Sequence, residues 1–224
     1  MAPNDEFIRE VDEEYRRDQI AQIWQRYNGI IIGVVVLVVA GVGGWRFWEH
    51  VQETRAQEAA VRYEEALRLS SEDKGQDAQA AFESVVKEDG STGYAMLARF
   101  RLAAELGQQN AENGASAFDA LANDAAVPAL WQDLARLRAA WLRIDTAEPA
   151  KLRQAVEPLA TPSGAWRHSA RELLGLSGLK AGDMDYAGRW FDQIAADRET
   201  PSSLRQRLAV YTALVAGGPV QATQ

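Results

Sequence analysis

The sequence predicts an all-α protein: a single N-terminal transmembrane helix followed by a solenoid of helical hairpins. Three observations carry this. One uncharged run has bilayer length. The remainder is rich in Ala, Leu, Glu, Gln and Arg, which are strong helix formers. Apolar residues in that remainder recur at three- and four-residue spacing, with breaks at regular intervals.

The membrane segment comes first. From Tyr27 to Trp45 no side chain is charged. A helix of that length spans roughly 28 Å, close to a hydrocarbon thickness of about 30 Å. Trp24 and Tyr27 at one end, and Trp45, Phe47 and Trp48 at the other, are placed as interfacial aromatics are. The anchor is therefore set at residues 27–48, behind a tail at 1–26. That tail carries seven Asp or Glu against four Arg, unlike the short basic start of a cleaved signal peptide. Arg9, Arg16, Arg17 and Arg26 before the span, against Arg46, Arg55 and Arg62 after it, favour a cytoplasmic N-terminus. Gly29 with Gly33, and Ala40 with Gly44, have the spacing that lets a second membrane helix approach closely.

Beyond the anchor, residues 49–216 form the helical array and 217–224 a disordered tail. The first helix continues to Leu69, with Ala59, Tyr63, Ala66 and Leu67 as its stripe, and breaks at Asp73–Lys74–Gly75. A second stripe, Ala78, Ala81, Phe82, Val85 and Val86, completes a hairpin. Helices are expected next over 94–106, with Leu97, Ala98, Leu102 and Leu106 inward, and over 115–121 after a turn at Asn113–Gly114. Others follow over 130–144, 151–159, 166–179, 186–195 and 203–214, the last without a partner and hence a cap. Phe82, Phe118, Val156 and Phe191 fall at equivalent places, separated by 36, 38 and 35 residues. Such a period marks stacked hairpins, each leaving an apolar face that its neighbour must cover.

Leu174–Gly175, Gly182, Ala187 and Phe191 resemble the tetratricopeptide repeat signature, and Ala78 with Phe82 repeats its Ala-x-x-x-Phe element. The whole layout resembles the YfgM-like family, the ancillary subunits of the bacterial SecYEG translocon. The residues that carry this likeness are Asp12–Glu13–Glu14, Gln25 to Asn28, Trp45 to Trp48, Tyr63 to Ala66 and Gly93 to Arg99. The resemblance implies a cytoplasmic tail, an inner-membrane helix and a periplasmic array. It implies as partners the SecYEG translocon, the membrane-bound periplasmic prolyl isomerase PpiD, and periplasmic chaperones or secreted clients. The other reading is a scaffold for another envelope process, such as outer-membrane assembly or cell division.

Chemistry is sparse. The formal charge of −8 lacks the clustered cations that nucleic acid requires. There is no Cys, and the two histidines, His50 and His168, have no partners at ligand spacing, so both read as exposed helix residues. No catalytic residues, metal site or cofactor are expected, and no nucleophile elbow or phosphate loop appears. Trp131, Trp141, Trp166 and Trp190 read as core packing more than as docking platforms. In such arrays the first helix of each hairpin lines the groove. Met96, Arg99, Glu172 and Leu176 are the candidate protein-binding residues on that register.

Overall fold

The computed structural model describes residues 4–90 and 92–218. Nine α-helices are present among them: α1 (Asn4–Ser71), α2 (Gly75–Glu88), α3 (Gly93–Gln109), α4 (Ala111–Ala122), α5 (Ala129–Leu142), α6 (Pro149–Val156), α7 (Arg167–Lys180), α8 (Met184–Ala196) and α9 (Ser202–Gly217). A 3-10 turn, Glu157–Ala160, follows α6. The chain divides into two compact units, Met1–Arg55 and Ala56–Gln224. The tail read at 1–26 is helical from Asn4. The C-terminal tail lies outside the described residues beyond Gly218.

In the first unit, α1 holds the apolar run. It is the one helix among the described residues long and apolar enough to cross a membrane, and none of that run is buried.

The second unit is an array whose core is a chain of four clusters, each shared by successive helices. Ala66 of α1 packs with Ala78, Phe82 and Val85 of α2 and Ala98 of α3. Ala103, Ala115, Phe118 and Ala135 join α3, α4 and α5. Leu137, Leu152, Val156 and Leu173 join α5, α6 and α7. Ala187, Phe191 and Ile194 of α8 meet Leu204 and Leu208 of α9. The four residues that set the sequence period are all buried. Burial of a large apolar side chain from each hairpin stabilises by about 1.5–3 kcal/mol, and here it is realised only against the neighbouring helix. The unpaired α9 covers the end of α8, as a cap must.

Three local readings change. Asn113 and Gly114 form no turn; they lie inside α4. The turn is Asn110 alone, in extended conformation, whose backbone N–H donates to the Leu106 carbonyl. Its Oδ1 accepts from the N–H groups of Glu112 and Asn113, each at 3.0 Å, and so starts α4. Gly114 is needed for a different reason. A Cβ there would stand 2.3 Å from Gly107 Cα, so the glycines mark where α3 and α4 cross almost backbone to backbone. The inward face of α3 is also built differently: Ala95, Ala98 and Ala103 are buried, whereas Leu97, Leu102 and Leu106 are half-buried. Small side chains at a close crossing leave the leucines at its flanks. Finally, α6 stops at Val156 and Leu159 lies in the 3-10 turn, because Pro158 lacks the N–H that would continue the helix.

The last hairpin shows the same close approach. A Cβ on Gly175 would lie 2.3 Å from the Phe191 ring, and one on Gly178 would lie 3.0 Å from the Ala187 Cα and Cβ. Gly182, in the turn between α7 and α8, has a positive φ of 70°, a conformation only glycine adopts freely.

Candidate protein-interaction surfaces

Side chains from α3 line a cavity. Thr92 starts that helix, its hydroxyl oxygen accepting from the Ala95 N–H. Met96 and Arg99 then project from adjoining turns into a cavity of about 490 Å³. Val86 of α2 and Val127 of the α4–α5 loop supply its apolar wall. Arg99 reaches Asp124 at 2.7 Å. The Ala126 backbone N–H and then Arg99 hold the Asp124 carboxyl below the usual carboxylate range. The result is a recess of mixed apolar and polar lining with one tethered guanidinium at its edge.

Glu172 and Leu176 are not part of that recess. Glu172 is buried beneath α9: it accepts from Arg207 Nε at 2.8 Å and from a second Arg207 nitrogen at 2.9 Å. Tyr211 Oη donates to it at 3.0 Å. Its carboxylate holds the cap helix, and the guanidinium of Arg207 is pushed above its ordinary range mainly by this bond. Leu176 is half-buried on the same helix. Of the four candidates, therefore, two share a cavity, one anchors α9, and one stands apart.

The anchor residues Tyr27, Gly29, Gly33, Ala40, Gly44 and Trp45 are all exposed on α1. No atom beyond the helix itself comes within 4 Å of a Cβ placed on Gly29, Gly33 or Gly44. That face leaves room for a second helix to come close.

His168 is not an exposed helix residue. It is largely covered, and its Nε2 lies 3.0 Å from Asp197 Oδ2. Arg167 donates to the same oxygen at 2.9 Å and Arg171 at 3.2 Å. The Asp197 carboxyl is held far below its ordinary value, first by Arg167, then by the Glu199 backbone N–H and by His168. The tryptophans pack: Trp131 meets Phe100 edge-on at 5.4 Å, and Trp166 Nε1 donates to the Leu130 carbonyl at 3.0 Å. Trp141 and Trp190 lie against the cluster joining α5, α6 and α7.

These ion pairs follow a pattern that reading stripe by stripe does not reveal. Arg62 reaches Asp89 at 2.9 Å, Arg99 reaches Asp124, and Arg171 reaches Asp197. In each case an Arg on a hairpin's first helix grips an Asp beyond its second. Arg62, Arg99 and Arg171 stand 20, 19 and 20 residues ahead of Phe82, Phe118 and Phe191. Recurrence of Arg at that offset is the signal that finds them. Among the described residues, no three His, Asp or Glu side chains gather as a metal-binding set.

A family model described as a tetratricopeptide repeat-like domain matches residues 22–210. A protein of Aggregatibacter actinomycetemcomitans named ancillary SecYEG translocon subunit is 27% identical over 203 residues, covering 88% of this chain and 94% of that protein. A protein of the same name from Haemophilus influenzae is 28% identical over 88 residues, covering 39% of this chain and 43% of its own length. No solved structure matches the chain.

Proposed function

Because the chain belongs to the tetratricopeptide repeat-like family, and within it to the YfgM-like group, we propose that it is a membrane-anchored ancillary subunit of the bacterial Sec translocon that binds other proteins and catalyses nothing. The observation that carries this reading is the end-to-end match. The likeness to a relative so named takes in 94% of that protein, anchor and array together.

In this reading residues 1–26 are cytoplasmic, 27–48 cross the inner membrane and 49–216 stand in the periplasm. The face with Gly29, Gly33, Ala40 and Gly44 would lie against a translocon helix, with Tyr27 and Trp45 at the two interfaces. The array would pass emerging chains to periplasmic chaperones, with PpiD beside it, and the recess at Met96 and Arg99 would take the apolar side chains of such partners. The open recess, with apolar and polar groups side by side, supports a role in binding.

In-cell photo-crosslinking tests the proposal. A photoreactive residue replaces Ile32, which is exposed on α1, and another replaces Arg99. The expected products are translocon subunits from the first position and chaperones, PpiD or nascent secreted chains from the second. Division or outer-membrane assembly factors at both positions would overturn it in favour of an envelope scaffold.

A further inference from the structure

The array ends on a helix that is apolar on both sides. On its inner side, α9 buries Leu204 and Leu208 against α8, with Tyr211 and Val215 packed beside them. On its outer side Val210 is 59% exposed and Leu214 49%. Ala209, Ala213 and Gly217 are exposed around them, and a Cβ on Gly217 would meet no atom within 4 Å. Elsewhere the array turns charge outward, as α8 does with Asp185, Arg189 and Asp192. From Leu208 to the C-terminus no residue is charged. Even Thr212, exposed on the same stretch, turns its hydroxyl back to the Leu208 carbonyl at 3.0 Å. A helix apolar all round is one that is covered all round.

The form of the face selects what covers it. In a stack of hairpins each layer is covered by the next, so an apolar end calls for another helix of the same kind. The opposite end of the array does not supply it, because α1 exposes Glu58, Glu64, Glu65 and Arg68 there beside Val61. Cap against cap remains, which closes as a two-fold pair where head-to-tail contacts would grow without end. The α9 face is complementary to itself in that arrangement. In an antiparallel crossing centred between Ala213 and Leu214, Val210 of one copy lies over Gly217 of the other, and Leu214 over Ala213. Each large side chain meets a small one, and the two copies of Arg205 stand at opposite ends. Chains of charge −8 repel one another, and an uncharged face is where two of them can meet. One helix face per copy falls short of the about 1,200 Å² that a standard interface buries. Only a partner already held nearby is retained by so small a contact, and a copy anchored in the same bilayer is held nearby.

We propose that the outer face of α9 is a homodimer interface, pairing two membrane-anchored copies of this chain through Val210, Ala213, Leu214 and Gly217. The pairing uses the anchor on α1 and is independent of the translocon assignment and of the recess at Met96 and Arg99.

The chain has no Cys, so a single introduced thiol reports on one position. The test is oxidative cross-linking of the full chain in liposomes. Ala213→Cys stands beside the two-fold axis, where its two copies fall within the about 4.4–6.8 Å between Cα atoms that a disulfide needs. Gln206→Cys, also exposed on α9, would place its two copies roughly 22 Å apart along the crossing. Disulfide-linked dimer from Ala213→Cys should exceed that from Gln206→Cys by about tenfold or more. Adding Val210→Glu and Leu214→Glu, both at exposed positions, should abolish that dimer and leave the far-UV circular dichroism spectrum unchanged. Equal yields from the two cysteines, a dimer that survives the glutamates, or no dimer would overturn the proposal. So would a dimer that forms only after residues 219–224 are removed, since the chain's own tail would then be what covers the face.

Discussion

The crossing of α3 and α4 makes a demanding test of the fold, because one methyl group should unsettle it. In Gly114→Ala the added Cβ would stand 2.3 Å from Gly107 Cα, 2.5 Å from Gly107 N and 2.9 Å from the Ala103 carbonyl oxygen. Carbon atoms in ordinary contact stand about 3.5–4 Å apart, so the helices must separate by more than about 1 Å. All three obstructing atoms are backbone, and no rotamer change relieves them. Overpacking of this kind costs about 1–3 kcal/mol, and the upper end applies because parting the helices also loosens Ala103, Ala115 and Phe118. Alanine returns about 1 kcal/mol through helix propensity. The net loss is about 2 kcal/mol, which lowers the melting temperature of an array of this length by roughly 4–8 °C. Gly188→Ala is the matched control. It lies inside α8, and its Cβ would meet only Val215 Cγ1, at 3.6 Å. Propensity alone acts there, so a gain of about 0.5–1 kcal/mol is expected. Thermal unfolding of the full chain, followed by far-UV circular dichroism, compares the two. Gly114→Ala melting at or above the native temperature would refute the close crossing.

The Asp197 carboxyl, held low by Arg167, contributes stability that is present above the ordinary carboxylate value of about 4 and lost as pH falls below it. The stability gap between the native chain and Asp197→Asn should therefore close on acidification from about pH 5 to about pH 2; a gap constant with pH sinks this reading. Glu172→Gln leaves Arg207 and Tyr211 facing one acceptor oxygen in place of two, and should loosen α9 by about 1 kcal/mol, discounted because Arg207 is half in solvent. Limited proteolysis would show it as earlier loss of the C-terminal helix, and unchanged cleavage would count against the cap's dependence on this carboxylate. Hydrogen exchange should find α6 opening before α8, since α6 has eight residues and no side-chain N-cap, whereas the Asp183 side chain caps α8. Equal protection of the two helices would remove the argument that α6 is the weaker.

Much of this architecture is legible in the residues because it rests on periodicity. The anchor is a run of apolar side chains, and the hairpin register follows from Phe82, Phe118, Val156 and Phe191, which the fold buries. What escapes is whatever depends on a partner distant in sequence. Asn113–Gly114 has the chemistry of a turn, and only the approach of Gly107 shows why glycine is there. Glu172 reads as a groove residue until Arg207 and Tyr211 arrive from 35 and 39 residues away. His168 looks exposed until Asp197 folds back onto it. The groove candidates divide on the same line. Met96 and Arg99 line one recess with Val86 and Val127, whereas Glu172 is taken up by Arg207 and Tyr211 of the cap helix.

The segmented core explains how one hairpin can differ from the rest. Each cluster is shared only by successive helices, so stability is close to a sum of hairpin and neighbour contributions. A globular core would feel a missing ion pair throughout; here the lack of such an Asp behind α6, where Pro162 and Ser163 stand, is confined to α5, α6 and their contacts with α7. The neighbouring hairpins keep their own Arg–Asp grips and their own buried Phe. Arg136, 20 residues ahead of Val156, is thereby left to Asp133 and the Ala122 carbonyl without unsettling Phe118 or Phe191. That separation lets a surface be changed at one hairpin while the register of the others is held.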